Sequence, residues 1–329
     1  MKKIDFKDVR RQPYLDESSY KNTLAHIASA QQDYAEVLAD PPYSSAVREA
    51  YQLMAADSLD SFMLRFTGGE KLEDLATQLE SVVEAYERYV EQCSLVPEAE
   101  YFPPFRFDDI IDNYVDFVNI LGFSVLLHRE DLVGRIAMFN FETEYDFSDA
   151  IIEDVLKFFI PGRPSPDQWL WDVPYGELLE AIDATSLDAK KRGMKKYVEG
   201  WYSSMKGRAH FWGKHEQIAD EFSPYFGYWA VCAAVFTYLY DLDDSSYRDE
   251  LVYPKDLVDY ARSIPRRAVK LEDGTELLRV AGGQPCPRAG NWFSPAKEGS
   301  GRHFNEGEHM PSFDASEYGQ TIWQWSPSI

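Results

Sequence analysis

The stretch Glu70–Gln92, EKLEDLATQLESVVEAYERYVEQ, sets Leu72, Leu75, Leu79, Val82, Val83, Tyr86 and Val90 at intervals of three and four. That spacing lines one side of a 3.6-residue helix with apolar groups and leaves the acidic residues opposite. Such a stripe has to be buried, and the neighbouring sequence supplies the partner. Upstream, Ser44–Phe66 carries Val47, Tyr51, Met54, Leu59, Phe62 and Phe66 as apolar positions, and Gly68-Gly69 separates the two segments. A short turn between two long helices predicts an antiparallel pair. Earlier still, Leu24, Ile27, Ala28, Gln31, Tyr34, Ala35 and Leu38 fall near one face. Ser18 or Ser19 can cap that helix and Pro41-Pro42 end it. Downstream, further helices are expected at 108–128, 130–139, 147–160, 174–184, 187–212 and 222–241, with a shorter one after Pro254.

The fold class predicted is therefore mainly α: an antiparallel helical bundle body with a small β-rich C-terminal appendage. Of the 329 residues, 45% are hydrophobic and 15% aromatic, enough for a sizeable core rather than a disordered chain. The Pro161–Pro166 break and the change of character after Pro265 suggest three units. These are an N-terminal acidic helical unit (1–163), a C-terminal helical unit (164–265) and a β-rich tail module (266–329). In the tail, Ala268–Leu271, Leu277–Val280, Asn291–Phe293 and Thr321–Trp325 are β-prone, and Asp273-Gly274 signals a hairpin. Trp292, Phe293, Trp323 and Trp325 are its expected apolar contacts.

The net charge is −23. Residues 1–189 hold 15 Lys+Arg against 37 Asp+Glu, whereas 190–329 hold 18 against 19. Excess negative charge repels nucleic acid and anionic membrane alike, and it favours a basic protein partner. Solubility alone does not require the charge to be concentrated in one part of the chain. The three cysteines, Cys93, Cys232 and Cys286, are widely spaced and odd in number, which suits a reducing compartment. The N-terminus has no apolar core of a signal peptide, and Phe226–Tyr240 is too short to span a bilayer. A cytoplasmic location is the expectation.

No Gly-rich phosphate loop, nucleophile elbow or zincin helix motif occurs. His210 and His215 are five apart, which misses a shared helical face, and Cys286, His303 and His309 lack structural-zinc spacing. No cofactor and no metal is expected. The aromatic stretches Trp201-Tyr202, Phe211-Trp212 and Tyr225–Trp229 lack the basic groove of a base-stacking platform and suit a core. The carboxylates are the candidate residues. Asp108, Asp112 and Asp116 repeat every four residues with Asp109 beside them; Glu142, Glu144, Asp146 and Asp149 form a second group that runs on to Glu153 and Asp154; Asp241, Asp243 and Asp244 form a third. Like charges at a spacing of four repel. Three readings are open: a solvated face, a docking surface for Lys and Arg of a partner, or a metal or two-carboxylate catalytic site.

The stretch Phe226-Gly-Tyr-Trp-Ala-Val-Cys-Ala-Ala-Val, with Asp241-Leu-Asp-Asp-Ser-Ser and Tyr253-Pro-Lys-Asp-Leu-Val-Asp-Tyr260, resembles the C-terminal helical unit of PoNi-like immunity proteins. The pair 44–92, with Gly68-Gly69-Glu70 at its turn, resembles their N-terminal unit. The tail, with Gly282-Gly-Gln-Pro-Cys-Pro-Arg-Ala-Gly-Asn-Trp292, Arg302, Gly307, Met310-Pro311 and Tyr318-Gly-Gln-Thr-Ile-Trp-Gln-Trp325, looks like a module of immunity proteins encoded beside type VI secretion effectors. The resemblance implies a non-enzymatic, cytoplasmic protein that neutralises a cognate antibacterial toxin, with a basic nuclease effector as the expected partner. It identifies no contact residues. Asp108, Asp109, Asp112, Asp116, Glu142, Glu144, Asp146 and Asp149 are the partner-binding residues expected from charge. A carboxylate- or metal-dependent hydrolase and an effector chaperone or adaptor are the alternatives.

Overall fold

The computed structural model describes residues 5–43, 45–95, 103–217, 224–265, 269–270, 276–277, 279–294, 300–313 and 321–326. Eleven α-helices are found among them. They are α1 (Phe6–Val9), α2 (Glu17–Ala39), α3 (Ala46–Thr67), α4 (Leu72–Ser94), α5 (Ile111–Leu126), α6 (Val133–Ala137), α7 (Ala150–Leu156), α8 (Glu177–Asp183), α9 (Leu187–Met205), α10 (Val231–Leu239) and α11 (Lys255–Ser263). The expected mainly helical fold is present. The α3–α4 pair packs along its length and α2 lies against α3, so the Gly68-Gly69 turn works as its sequence implies. Gly69 holds φ +89, and a Cβ there would meet the Val9 carbonyl oxygen at 2.0 Å. Asp16, not Ser18 or Ser19, caps α2 by accepting from the Ser19 N–H.

At the centre lies α5, buried from Tyr114 to Leu126 except at Asp116. It packs against α10, all nine residues of which are buried. The two backbones approach closely at Gly122, where a Cβ would stand 2.4 Å from Val231 Cγ1. One apolar core extends from Leu15 to Ala261 across the Pro161–Pro166 break. The N-terminal arm is fastened to it by Arg11. That guanidinium donates to Asp256, to the Phe66 carbonyl and to the Glu70 carbonyl, and lies over the Phe66 ring.

Several expected helices are shorter than their patterns suggested, 147–160 reduced to Ala150–Leu156 and 130–139 to Val133–Ala137 among them, and two others bear on the site described below. The 187–212 helix ends at Met205, and Gly207 follows with φ +84, so His210, Phe211 and Trp212 lie beyond it. The 222–241 helix begins only at Val231. Gly227 has φ +107, incompatible with a right-handed helix, and a Cβ there would meet Trp229 Nε1 at 2.2 Å and Thr67 Oγ1 at 2.4 Å. The non-helical stretch before α10 is buried, so its backbone groups need partners from elsewhere. Thr67 Oγ1 donates to the Phe226 carbonyl, the Tyr228 N–H to Gln12 Oε1, and the Ala230 N–H to the Val252 carbonyl. An apolar run without polar breaks reads as a helix, but tertiary hydrogen bonds hold its first half in another conformation.

The tail has its own core of Cys286, Trp292, Phe304, Met310 and Trp323. Its strands are β1 (Val269–Lys270), β2 (Glu276–Leu277), β3 (Arg279–Ala281), β4 (Gly290–Phe293), β5 (Arg302–Phe304) and β6 (Ile322–Ser326). β1 and β2 pair antiparallel, flanking the expected Asp273-Gly274 turn, which itself lies outside the described residues. The other four form an antiparallel sheet in the order β3-β6-β4-β5, with Trp292 opposite Trp325. The sequence reading had missed β5.

Candidate functional site

The acidic positions divide according to what their carboxylates touch. Asp149 is the N-cap of α7: it accepts from the Ile151 and Ile152 N–H groups, from the Leu170 N–H and from the Tyr114 hydroxyl. It is 1% exposed, so it does not lie on the acidic surface expected of it. Asp146 pairs with Arg163 Nη1 at 3.1 Å, while the same guanidinium grips Glu153 with two hydrogen bonds and lies over the Phe147 ring. Lys157 pairs with Asp154 at 2.9 Å. These groups tie the 161–166 break to α7, and Asp146 is taken up in this internal contact.

Glu142 and Glu144 are exposed, as are Asp108 and Asp109. The last two precede α5 rather than lying on it. Asp108 accepts from the Tyr145 hydroxyl, and Asp109 pairs with Arg106 at 2.8 Å. The expected stack of Asp108, Asp112 and Asp116 on one helical face is thus reduced to its last two members.

Asp112 and Asp116 lie one turn apart on α5 and face Asp60 of α3 across a cleft. Phe211 and Trp212 from the turn after α9 and Phe226–Trp229 from the stretch before α10 also line it. The segments after α9 and before α10, where the sequence pattern had suggested helix, therefore supply the aromatic part of the cleft. Asp112 is half-buried and accepts from the His210 N–H at 2.8 Å. Burial raises its carboxyl above the ordinary range, countered in part by that hydrogen bond. Asp116 has no hydrogen bond or ion pair among the described residues; burial first, then repulsion from Asp112, pushes its carboxyl up to about 8. Asp60 is likewise unpaired, and burial, followed by Asp116, Asp57 and Asp112, pushes it well above the usual range. Both residues remain partly open to solvent.

The cleft encloses about 50 Å³, room for a few waters and far below the roughly 300–1,000 Å³ of small-molecule sites. A larger groove of about 400 Å³ lies among α2, α3 and α4, where Gln31, Asp57, Arg65 and Arg88 mix with apolar groups. Arg65 there pairs with Glu70 and Arg88 with Glu84. Among the described residues no three His, Cys, Asp or Glu are arranged to hold a metal ion. His215 instead stacks on Tyr14 and contacts the Tyr228 hydroxyl, and His309 Nδ1 meets the Gly283 carbonyl. No described helix is long and apolar enough to cross a membrane.

Asp60 was not singled out from the sequence. The signal was weak: Leu59, Phe62, Met63, Leu64 and Phe66 make that end of α3 largely apolar around Asp60.

Two family profiles match the chain. Residues 5–137 match the family described as PoNe immunity protein (PoNi), N-terminal, and residues 147–257 match PoNe immunity proteins (PoNi), C-terminal. Among solved structures, the crystal structure of protein PA2201 from Pseudomonas aeruginosa is similar with a TM-score of 0.61 at 18% identity. The similarity covers 78% of this chain and 91% of that one, and it shows the fold alone. No curated protein sequence matches.

Proposed function

The chain belongs to the PoNe immunity protein (PoNi) family, and from that premise we propose that it neutralises a cognate antibacterial toxin by tight binding in the cytoplasm. Immunity to a polymorphic toxin is the family's activity. The finer reading is a basic nuclease effector delivered by a type VI secretion system. The observation that carries it is the uneven charge: residues 1–189 hold 37 acidic residues against 15 basic ones. A nuclease must present cations to its phosphate substrate, so an inhibitor with a concentrated negative field is drawn to the surface it has to block. The type VI assignment rests on the resemblance of the tail, which lies beyond the two profile matches.

Exposed Asp108, Asp109, Glu142 and Glu144 suit a steering rim, where charge sets the association rate more than the final affinity. The hydrolase alternative draws on the raised carboxyls of Asp60 and Asp116, since catalytic acids are tuned that way. The size of the cleft argues against it, because about 50 Å³ does not admit a substrate beside two carboxyls.

Co-expression tests the function directly. Growth of cells producing the toxin should be restored by this chain and not by an unrelated acidic helical protein. Absence of both rescue and complex would reject immunity. Reversing Asp108 and Asp109 to Lys should slow association and flatten its salt dependence while leaving dissociation nearly unchanged in stopped-flow measurements.

A further inference from the structure

Resting on the reading above, we propose that the cleft between α3 and α5 receives one cationic side chain of the toxin, an arginine head inserted among its carboxylates and aromatic groups. Buried carboxylates are ordinarily paired or capped, as Asp146, Asp149, Glu153 and Asp154 are around α7. Asp60 and Asp116 have no such partner among the described residues, and the charged groups acting on them are other carboxylates. That arrangement costs stability and needs a reason, which an incoming cation supplies.

A second and independent observation lies among the aromatic groups of the cleft. The indole N–H of Trp212 is buried and has no acceptor, although its neighbours Trp229 and Tyr228 are satisfied by Thr67 and by Gly213 and His215. A buried donor without an acceptor and two partly exposed carboxylates without a protein partner thus border one small void. Its size selects the occupant, since about 50 Å³ suits the head of one side chain and not a cofactor or substrate. Aromatic groups and carboxylates lining one small cleft match a guanidinium, which stacks through its face and donates through its edge. Asp112 is held in place by the His210 N–H, so one acceptor is oriented before the guest arrives. A metal ion is a poorer fit, because these side chains do not converge in ligating geometry.

The groups facing Asp116 are Asp60 on α3, Asp112 on its own helix, and the Tyr86 and Tyr175 hydroxyls, with His210 beside Asp112. No described Lys or Arg acts on either Asp60 or Asp116. Capturing a guanidinium at pH 7 therefore draws the Asp116 proton out to the buffer.

The test uses the intact chain and a catalytically inactivated form of its toxin, with calorimetry in two buffers of different ionisation enthalpy. The wild type should bind with release of about one proton or more at pH 7, since both Asp116 and Asp60 are raised. Asp60→Asn with Asp116→Asn should melt no lower than wild type, release no proton, and bind about 30-fold or more weakly. In a double-mutant cycle against the toxin's Arg and Lys residues, one basic residue should lose its effect in that background. Unchanged affinity in the folded double variant overturns the receptacle while leaving the immunity reading intact. Should the variant fail to fold, buffer-independent heats for the wild type overturn it instead. Failure of the wild type to bind the toxin defeats the broader reading first.

Discussion

The carboxylates around α7 and those between α3 and α5 are alike in sequence and opposite in circumstance. Around α7 each acid has a partner: Arg163 holds Asp146 and Glu153, Lys157 holds Asp154, and four donors surround Asp149. In the α3–α5 cleft two of three have none. Desolvation raises carboxyl pKa values in both places, so it does not separate them. Compensation does. The first group fastens the chain break after α7 to the body, and removing it should cost stability. The second opposes folding, and removing it should add stability at the expense of another property. Opposite signs for chemically similar substitutions are a sharp criterion, because most buried substitutions destabilise.

The largest effect is expected from Arg163→Ala, which strands the Glu153 and Asp146 carboxylates in the protein. Breaking a buried pair from one side costs about 3–5 kcal/mol, read as a drop in the midpoint of urea unfolding. A loss below about 1 kcal/mol would mean that the cluster behaves as a surface ion pair and would dissolve the contrast. Asp149→Ala follows. It removes a helix cap and leaves the Tyr114 hydroxyl without its acceptor, for a loss of about 2–3 kcal/mol. Asp149→Asn should recover part of it, since an amide oxygen still caps.

Asp116→Asn should gain about 1 kcal/mol or more at pH 8, and the gain should vanish near pH 4. The sign follows from its raised carboxyl. Between the unfolded value near 4 and the folded value of about 8, the native state binds the extra proton. Wild-type stability therefore falls with rising pH across that window, and the variant should flatten the slope in pH-resolved thermal melts. A slope that persists unchanged would assign it to other buried acids such as Glu153 or Asp154.

Much of the architecture was legible because its signal is local. The three-four spacing of Leu72 through Val90 needs only helical geometry to be read, and the Gly68-Gly69 turn made α3 and α4 antiparallel neighbours. Where apolar residues run without interruption, spacing carries no information. The stretch before Val231 looked helical for that reason, yet Gly227, Thr67 and Gln12 hold it otherwise. The acidic bias and its concentration before residue 190 were also plain, because charge is a sum over residues.

Which carboxylates are free was not legible, because that depends on what stands opposite each one. Asp149 and Asp116 are both acids set among apolar neighbours, and nothing local marks one as a cap and the other as unpaired. Arg163 reaches Glu153 ten positions earlier, while Asp60 meets Asp116 only because α3 packs against α5. The residues alone determined most of the helices, the acidic character and the family. Tertiary packing decided which negative charges are neutralised within the chain, since the energy of a buried charge is set by groups far away in sequence and near in space.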